Sequence, residues 1–165
     1  MSPLKIIWDP KSFEGKKYRT RYTARAVLYD EEENIPLLYV GKYNYHKLPG
    51  GWVETWENTE EALQRECLEE VGCEIEIWKY LWEVVEYRAN IWWEEDNYTL
   101  QISKCYRWRI MKKWEANFTE SEKENDFSCR WVTLEEAIHI LETDEPKNLE
   151  WRFIIERELT FLRSV

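Results

Sequence analysis

A chain of 165 residues, 44% hydrophobic and 34% charged, is sized for one domain with its own core rather than two. Its formal net charge of −10 excludes recognition of a phosphate backbone through a basic stripe, so no nucleic-acid partner is expected. An acidic chain still binds small phosphorylated ligands where metal ions reverse the local field.

The opening MSPLKIIWDPKSFEGKK holds only a short apolar run, too little for a signal peptide. No stretch approaches ~20 apolar residues, so no membrane span is expected. The cysteines Cys67, Cys73, Cys105 and Cys129 form no CxxC pair and read as reduced thiols of a cytoplasmic protein. The 11 tryptophans and 10 tyrosines serve packing in the main, and any left exposed make a homodimer an open alternative.

No repeat, low-complexity tract or linker interrupts residues 1–165, which are read as a single domain. Residues 20–29 (TRYTARAVLY) predict a strand ended by the acidic turn 30–34, with 36–43 (PLLYVGKY) as its hairpin partner. A loop with Pro49, Gly50 and Gly51 follows. Next comes a helix that Asn58 or Thr59 can cap, with Glu60 and Glu61 at the positive end of its dipole and Gly72 as its left-handed stop. Leu63, Cys67 and Val71 fall at i, i+4 and i+8 as its apolar stripe.

Beyond Gly72, Cys73, Ile75 and Ile77 alternate with Glu74 and Glu76 as a half-buried strand, and strand character resumes over 81–88. Tyr98, Leu100 and Ile102, then Tyr106, Trp108 and Ile110, mark a long period-two strand. The polar segment 112–126 is expected to be a loop, and 129–132 a short strand. Thr133 opens a second helix through a capping box to Glu136. The tail 149–162 predicts a last helix with Trp151, Ile154, Ile155, Leu159 and Leu162 on one side. This order predicts a mixed sheet with helices on both faces.

Glu66, Glu69 and Glu70, at i, i+3 and i+4, project three carboxylates from one helix face, expected to point away from the apolar stripe. Like charges so spaced cost a few tenths of a kcal/mol per pair, and a hard dication with oxygen ligands turns that repulsion into attraction. In a chain with 33 Asp and Glu, these three alone fit a solvated face better than a metal site.

Their surroundings decide. From Gly51 the chain reads GWVETWENTEEALQRECLEEVGC, which resembles the Nudix box at every fixed position: Gly51, Glu57, Arg65, Glu66, Glu69, Glu70 and Gly72. TARAVLY, LPGG and WVTLEEA resemble segments of MutT-like members of the same family, so the likeness covers most of the chain. Trp56 departs from the pattern, standing where relatives usually carry glycine.

The resemblance implies an α/β fold, a Nudix-type α/β/α sandwich with a mixed β-sheet, and hydrolysis of a diphosphate linkage with Mg²⁺ or Mn²⁺. It assigns catalysis to Glu66 and Glu69, metal binding to Glu66, Glu69, Glu70 and the Gly50 carbonyl, and a loop-to-helix tie to Glu57 and Arg65. MutT-like members often draw another ligand from a late loop; here FTESEKENDF offers Glu120, Glu122 and Glu124, of which Glu124 is favoured. Glu66 is the first choice of general base and a loop glutamate the second.

For the substrate, Arg25 and Lys42 are candidates to meet phosphates, though each also fits a surface or salt-bridge role. Tyr43, Tyr45, Trp52, Trp82 and Tyr87 offer rings for base stacking, with Trp52 and Tyr87 put first. His46, near the glycine loop, is a lesser candidate, and His139 is not one. The chain lacks the SQPWPFP-like segment of the NADH branch, an upstream coenzyme A motif, and any proline between Pro49 and Pro146 of the kind common in the ADP-ribose branch. What remains first is a nucleoside triphosphate, normal or oxidised, cleaved to monophosphate and pyrophosphate. Diadenosine polyphosphates and nucleotide sugars come next. A nucleotide-binding sensor without turnover is the reading of another class, and such members usually lose a box glutamate that this chain keeps.

Overall fold

The structure is a computed structural model and describes residues 2–9, 11–12, 14–89, 98–147 and 150–165. Along the chain lie β1 (Lys5–Trp8), β2 (Tyr18–Tyr29), β3 (Ile35–Val40), β4 (Tyr45–Lys47), α1 (Thr59–Val71), β5 (Cys73–Ala89), β6 (Tyr98–Lys113), α2 (Glu120–Glu124), β7 (Phe127–Val132), α3 (Leu134–Thr143) and α4 (Glu150–Leu162). The expected mixed α/β architecture is present. One sheet runs β1-β5-β6-β2, with β5 antiparallel to β6 and the β1-β5 and β6-β2 pairs parallel.

Strand periodicity explains why helices cover both faces of this sheet. On β2, Ala24, Ala26 and Leu28 point one way and pack on Leu63, Cys67 and Val71 of α1, with Cys73, Ile75, Tyr106 and Trp108. Val27 points the other way, into a core shared with Val84, Cys105, Ala137 and Leu141 of α3 and Ile155, Phe161 and Leu162 of α4. Burying a side chain such as Leu63 contributes about 1.5–3 kcal/mol, so each stripe fixes its helix firmly.

Several expectations are corrected. Residues 36–43 are not the hairpin partner of the first strand: β3 lies in a second sheet, β4-β3-β7, antiparallel throughout. The reason is burial. Ile35, Pro36, Leu37 and Leu38 are buried in succession, so β3 needs cover on both sides rather than one solvent face. β1, parallel to β5, was not foreseen. Nor is 112–126 all loop, because β6 continues to Lys113 and Thr119 caps α2 through a box with Glu122. The last helix begins at Glu150; Leu149 lies outside the described residues. Among the described residues, no helix is long and apolar enough to cross a membrane.

Candidate active site

The loop between β4 and α1 is laced to β2. The Ala24 and Ala26 N–H groups donate to the Gly51 and Pro49 carbonyls, both at 3.0 Å, and Val53 N–H donates to the Tyr22 carbonyl at 3.1 Å. So close an approach needs glycine: at Gly50, with φ +123°, a Cβ would stand 2.1 Å from the Ala24 carbonyl oxygen. The loop leads into α1, where Asn58 rather than Thr59 is the cap: its side chain accepts from Glu60 and Glu61 N–H while Glu61 accepts from Asn58 N–H. Gly72 ends the helix in the left-handed conformation.

The Glu57–Arg65 tie is bidentate, with Arg65 Nε donating at 3.2 Å and NH2 at 2.7 Å to the two Glu57 oxygens. That hydrogen bond, more than bare charge, holds the Glu57 carboxyl below its ordinary range. Arg65 also donates to Glu66 at 2.8 Å and to the Trp52 carbonyl at 3.2 Å, so one guanidinium fastens loop, helix and acidic cluster.

Glu66, Glu69 and Glu70 do not share one solvated face. Glu66 lies half-buried against Gly51, where a Cβ would meet Glu66 Oε1 at 2.3 Å; the glycine makes room for that carboxylate. Glu69 is the more open, its side chain 31% exposed, and its carboxyl is raised above the usual range by partial burial and by the Glu66 charge. Glu70 is wholly buried, beside the apolar stripe rather than away from it. It accepts from Lys47 Nζ at 2.6 Å and from Gly50 N–H at 2.8 Å. Burial pushes its carboxyl up to about 7, against the pull of Lys47.

The fourth carboxylate comes from α2. The segment before it is docked on the end of α1, with Trp114 N–H donating to the Gly72 carbonyl and Asn117 N–H to the Glu69 carbonyl. This brings Glu122 alongside α1, where Glu66, Glu70 and Glu122 each offer an oxygen within 4.8 Å of one another. Glu124, the residue favoured from sequence, is exposed and outside this trio. The missed signal was the spacing Thr119-x-x-Glu122, the same capping box that marks Thr133. For Lys47 the sequence carried no signal. The Gly50 carbonyl, expected as a ligand, accepts from Lys47 Nζ at 3.1 Å.

The substrate candidates are scattered. Arg25 is buried and donates to Glu158 at 3.0 Å, on the α4 side of the sheet. Lys42 is exposed in the turn after β3. Trp52 is exposed beside the glycine loop, but the Arg21 guanidinium covers one face at 3.1 Å from the ring centroid. Tyr87 stacks on Trp8 at 4.0 Å. Tyr45 stacks on Trp151 at 5.0 Å as packing, and Tyr43 tilts against the same ring. His46 pairs with Asp144 at 2.8 Å. Trp56 is 79% exposed.

The donors gathered at α1 are hard oxygens of the kind Mg²⁺ and Mn²⁺ take, and the residues present fit such an ion. The family model for the NUDIX domain matches residues 19–152. No curated protein matches the chain. Solved structures with a similar fold include a NUDIX hydrolase from Nitrosomonas europaea (TM-score 0.59, 15% identity, covering 84% of this chain and 88% of that one). A MutT protein from Methanosarcina mazei Go1 gives TM-score 0.54 and 19% identity over 88% of this chain and 95% of that one. An ADP-ribose pyrophosphatase from Streptococcus suis gives 0.50 and 14% over 87% and 90%. Fold and acidic helix define a hydrolase that acts on diphosphate bonds. The chain belongs to the Nudix family.

Proposed function

We propose that the chain cleaves a nucleoside triphosphate to the monophosphate and pyrophosphate, at a centre where Glu66, Glu70 and Glu122 gather Mg²⁺ or Mn²⁺ beside Glu69. The observation that carries this reading is the trio of oxygens from Glu66, Glu70 and Glu122 within 4.8 Å of one another. A divalent ion bound there supplies charge screening for the phosphate oxygens and a lowered pKa for coordinated water.

The chain's own groups do the rest. Glu69 stands outside the trio and partly open, with a carboxyl raised toward the working pH, so we assign it the general base in place of Glu66. It takes a proton on a carboxylate oxygen as water attacks phosphorus and the bridging P–O bond breaks. Arg65 orients Glu66 through the 2.8 Å hydrogen bond and anchors the glycine loop through Trp52. Trp52, with Arg21 on one face, leaves its other face to a base.

A panel of oxidised and normal nucleoside triphosphates, diadenosine polyphosphates, nucleotide sugars and ADP-ribose, each with Mg²⁺ or Mn²⁺, tests the reading, with Glu69→Gln as blank. Metal-dependent release of pyrophosphate from a triphosphate is the expected result. Turnover confined to another class moves the substrate, and turnover of none removes the nucleotide assignment. We place the protein in the cytoplasm, a reading supported by its four free cysteines. Exposed Trp56, Trp78 and Trp114 support a homodimer, which sedimentation decides.

A further inference from the structure

Two of the groups that family resemblance gives to a metal ion are already engaged by a cation of the chain itself. The Lys47 ammonium lies 2.6 Å from Glu70 Oε1 and 3.1 Å from the Gly50 carbonyl oxygen. The other Glu70 oxygen accepts from Gly50 N–H at 2.8 Å, which closes a ring of lysine, glutamate and the backbone of one glycine. Nothing in this ring depends on a long side chain finding its place from solvent. Lys47 is buried, paired across β4 with Leu38 of β3, and its ammonium sits 5.2 Å from the centre of the Phe127 ring.

An ammonium offers three donors and no acceptor, so it competes with a dication for these same two oxygens. It also carries one positive charge into a place where Glu66, Glu70 and Glu122 crowd together. A buried lysine with partners this close stays where it is, because stripping either charge of its partner costs several kcal/mol. We infer that Lys47 is a built-in cation that takes the position of one metal ion, between Glu70 and the Gly50 carbonyl. The centre is thereby left to gather its ion on the side of Glu66 and Glu122. Glu70 becomes a positioning residue that ties α1 to the glycine loop. This inference rests on the metal centre proposed above and sharpens it.

The test is a count of bound ions in the full chain. Free Mn²⁺ is followed by electron paramagnetic resonance at pH 8 for the wild type, Lys47→Met and Lys47→Arg. Lys47→Met should bind one more Mn²⁺ per chain than the wild type, because the vacated oxygens are free to coordinate, and Lys47→Arg should keep the wild-type number. Equal numbers in wild type and Lys47→Met overturn the inference and leave the functional reading standing. A wild type that binds no Mn²⁺ overturns the functional reading, and the inference with it. Should Lys47→Met not fold, wild-type crystals soaked in Mn²⁺ decide. Anomalous density on the Glu66–Glu122 side alone supports the inference, and a peak between Glu70 and the Gly50 carbonyl contradicts it.

Discussion

Charge is buried on both faces of the central sheet, on opposite terms. On the α4 face, Glu86 accepts from Arg157 at 3.1 Å and Gln101 at 2.6 Å, while Glu158 accepts from Arg157 at 2.6 Å and Arg25 at 3.0 Å. Each carboxylate there meets a guanidinium, and the four charged side chains are at most 6% exposed. On the α1 face the carboxylates outnumber their cations, with Lys47 serving Glu70 and Arg65 shared among Glu57, Glu66 and Glu69. The most deeply buried carboxyls of the two faces also shift in opposite directions. Burial pushes Glu86 up, but Arg157 and Arg88 outweigh it and hold the carboxyl below its ordinary range, whereas Glu70 is pushed up to about 7. The lesson is that buried carboxylates each matched by a guanidinium hold structure together, and carboxylates left in excess of their cations wait for a ligand.

The sharpest way to separate the two is to remove one charge from each. Glu69→Gln should lower kcat by roughly 10²–10⁴-fold, the range for a lost general base, with an unchanged melting temperature; pyrophosphate release and thermal denaturation check it. Arg157→Met should do the reverse, costing about 3–5 kcal/mol in urea unfolding because Glu86 and Glu158 lose their shared partner, while kcat per folded molecule holds.

A smaller effect reads the opposite pKa shifts. The raised Glu70 carboxyl favours the folded state at low pH, and this contribution is lost as pH rises through about 7. The lowered Glu86 carboxyl contributes above its unfolded pKa and loses that contribution only in acid. Metal-free protein should therefore lose melting temperature between about pH 5 and pH 8, and added Mg²⁺ should restore more of it at the upper end. Melting curves that ignore Mg²⁺ at every pH contradict this. Smallest is Glu57→Gln: the pair is partly open to solvent through Arg65, so about 1 kcal/mol or less of stability is at stake, measurable by chemical denaturation.

Sequence legibility divides along the same line. α1 could be read almost to the residue, because its caps, stripe and box glutamates are local signals within one helix. Glu57 and Arg65, eight positions apart, meet as the box pattern implied. The α4-side network was illegible, since Arg25 and Glu158 are 133 positions apart and no local spacing links them. The burial of Glu70 was missed for a related reason: it depends on where β4 places Lys47, and three residues, 45–47, are too few to show a strand period. Glu122 and Glu124 lie in one acidic segment of the sequence, and only the Thr119-x-x-Glu122 capping spacing tells them apart.

Whether the α1 carboxylates hold a divalent ion is decided by calorimetric titration of Mg²⁺ into wild type and Glu66→Gln. The wild type should bind, and the variant should bind at least about tenfold more weakly, a loss of roughly 1.4 kcal/mol or more. Equal affinity in the two proteins contradicts it.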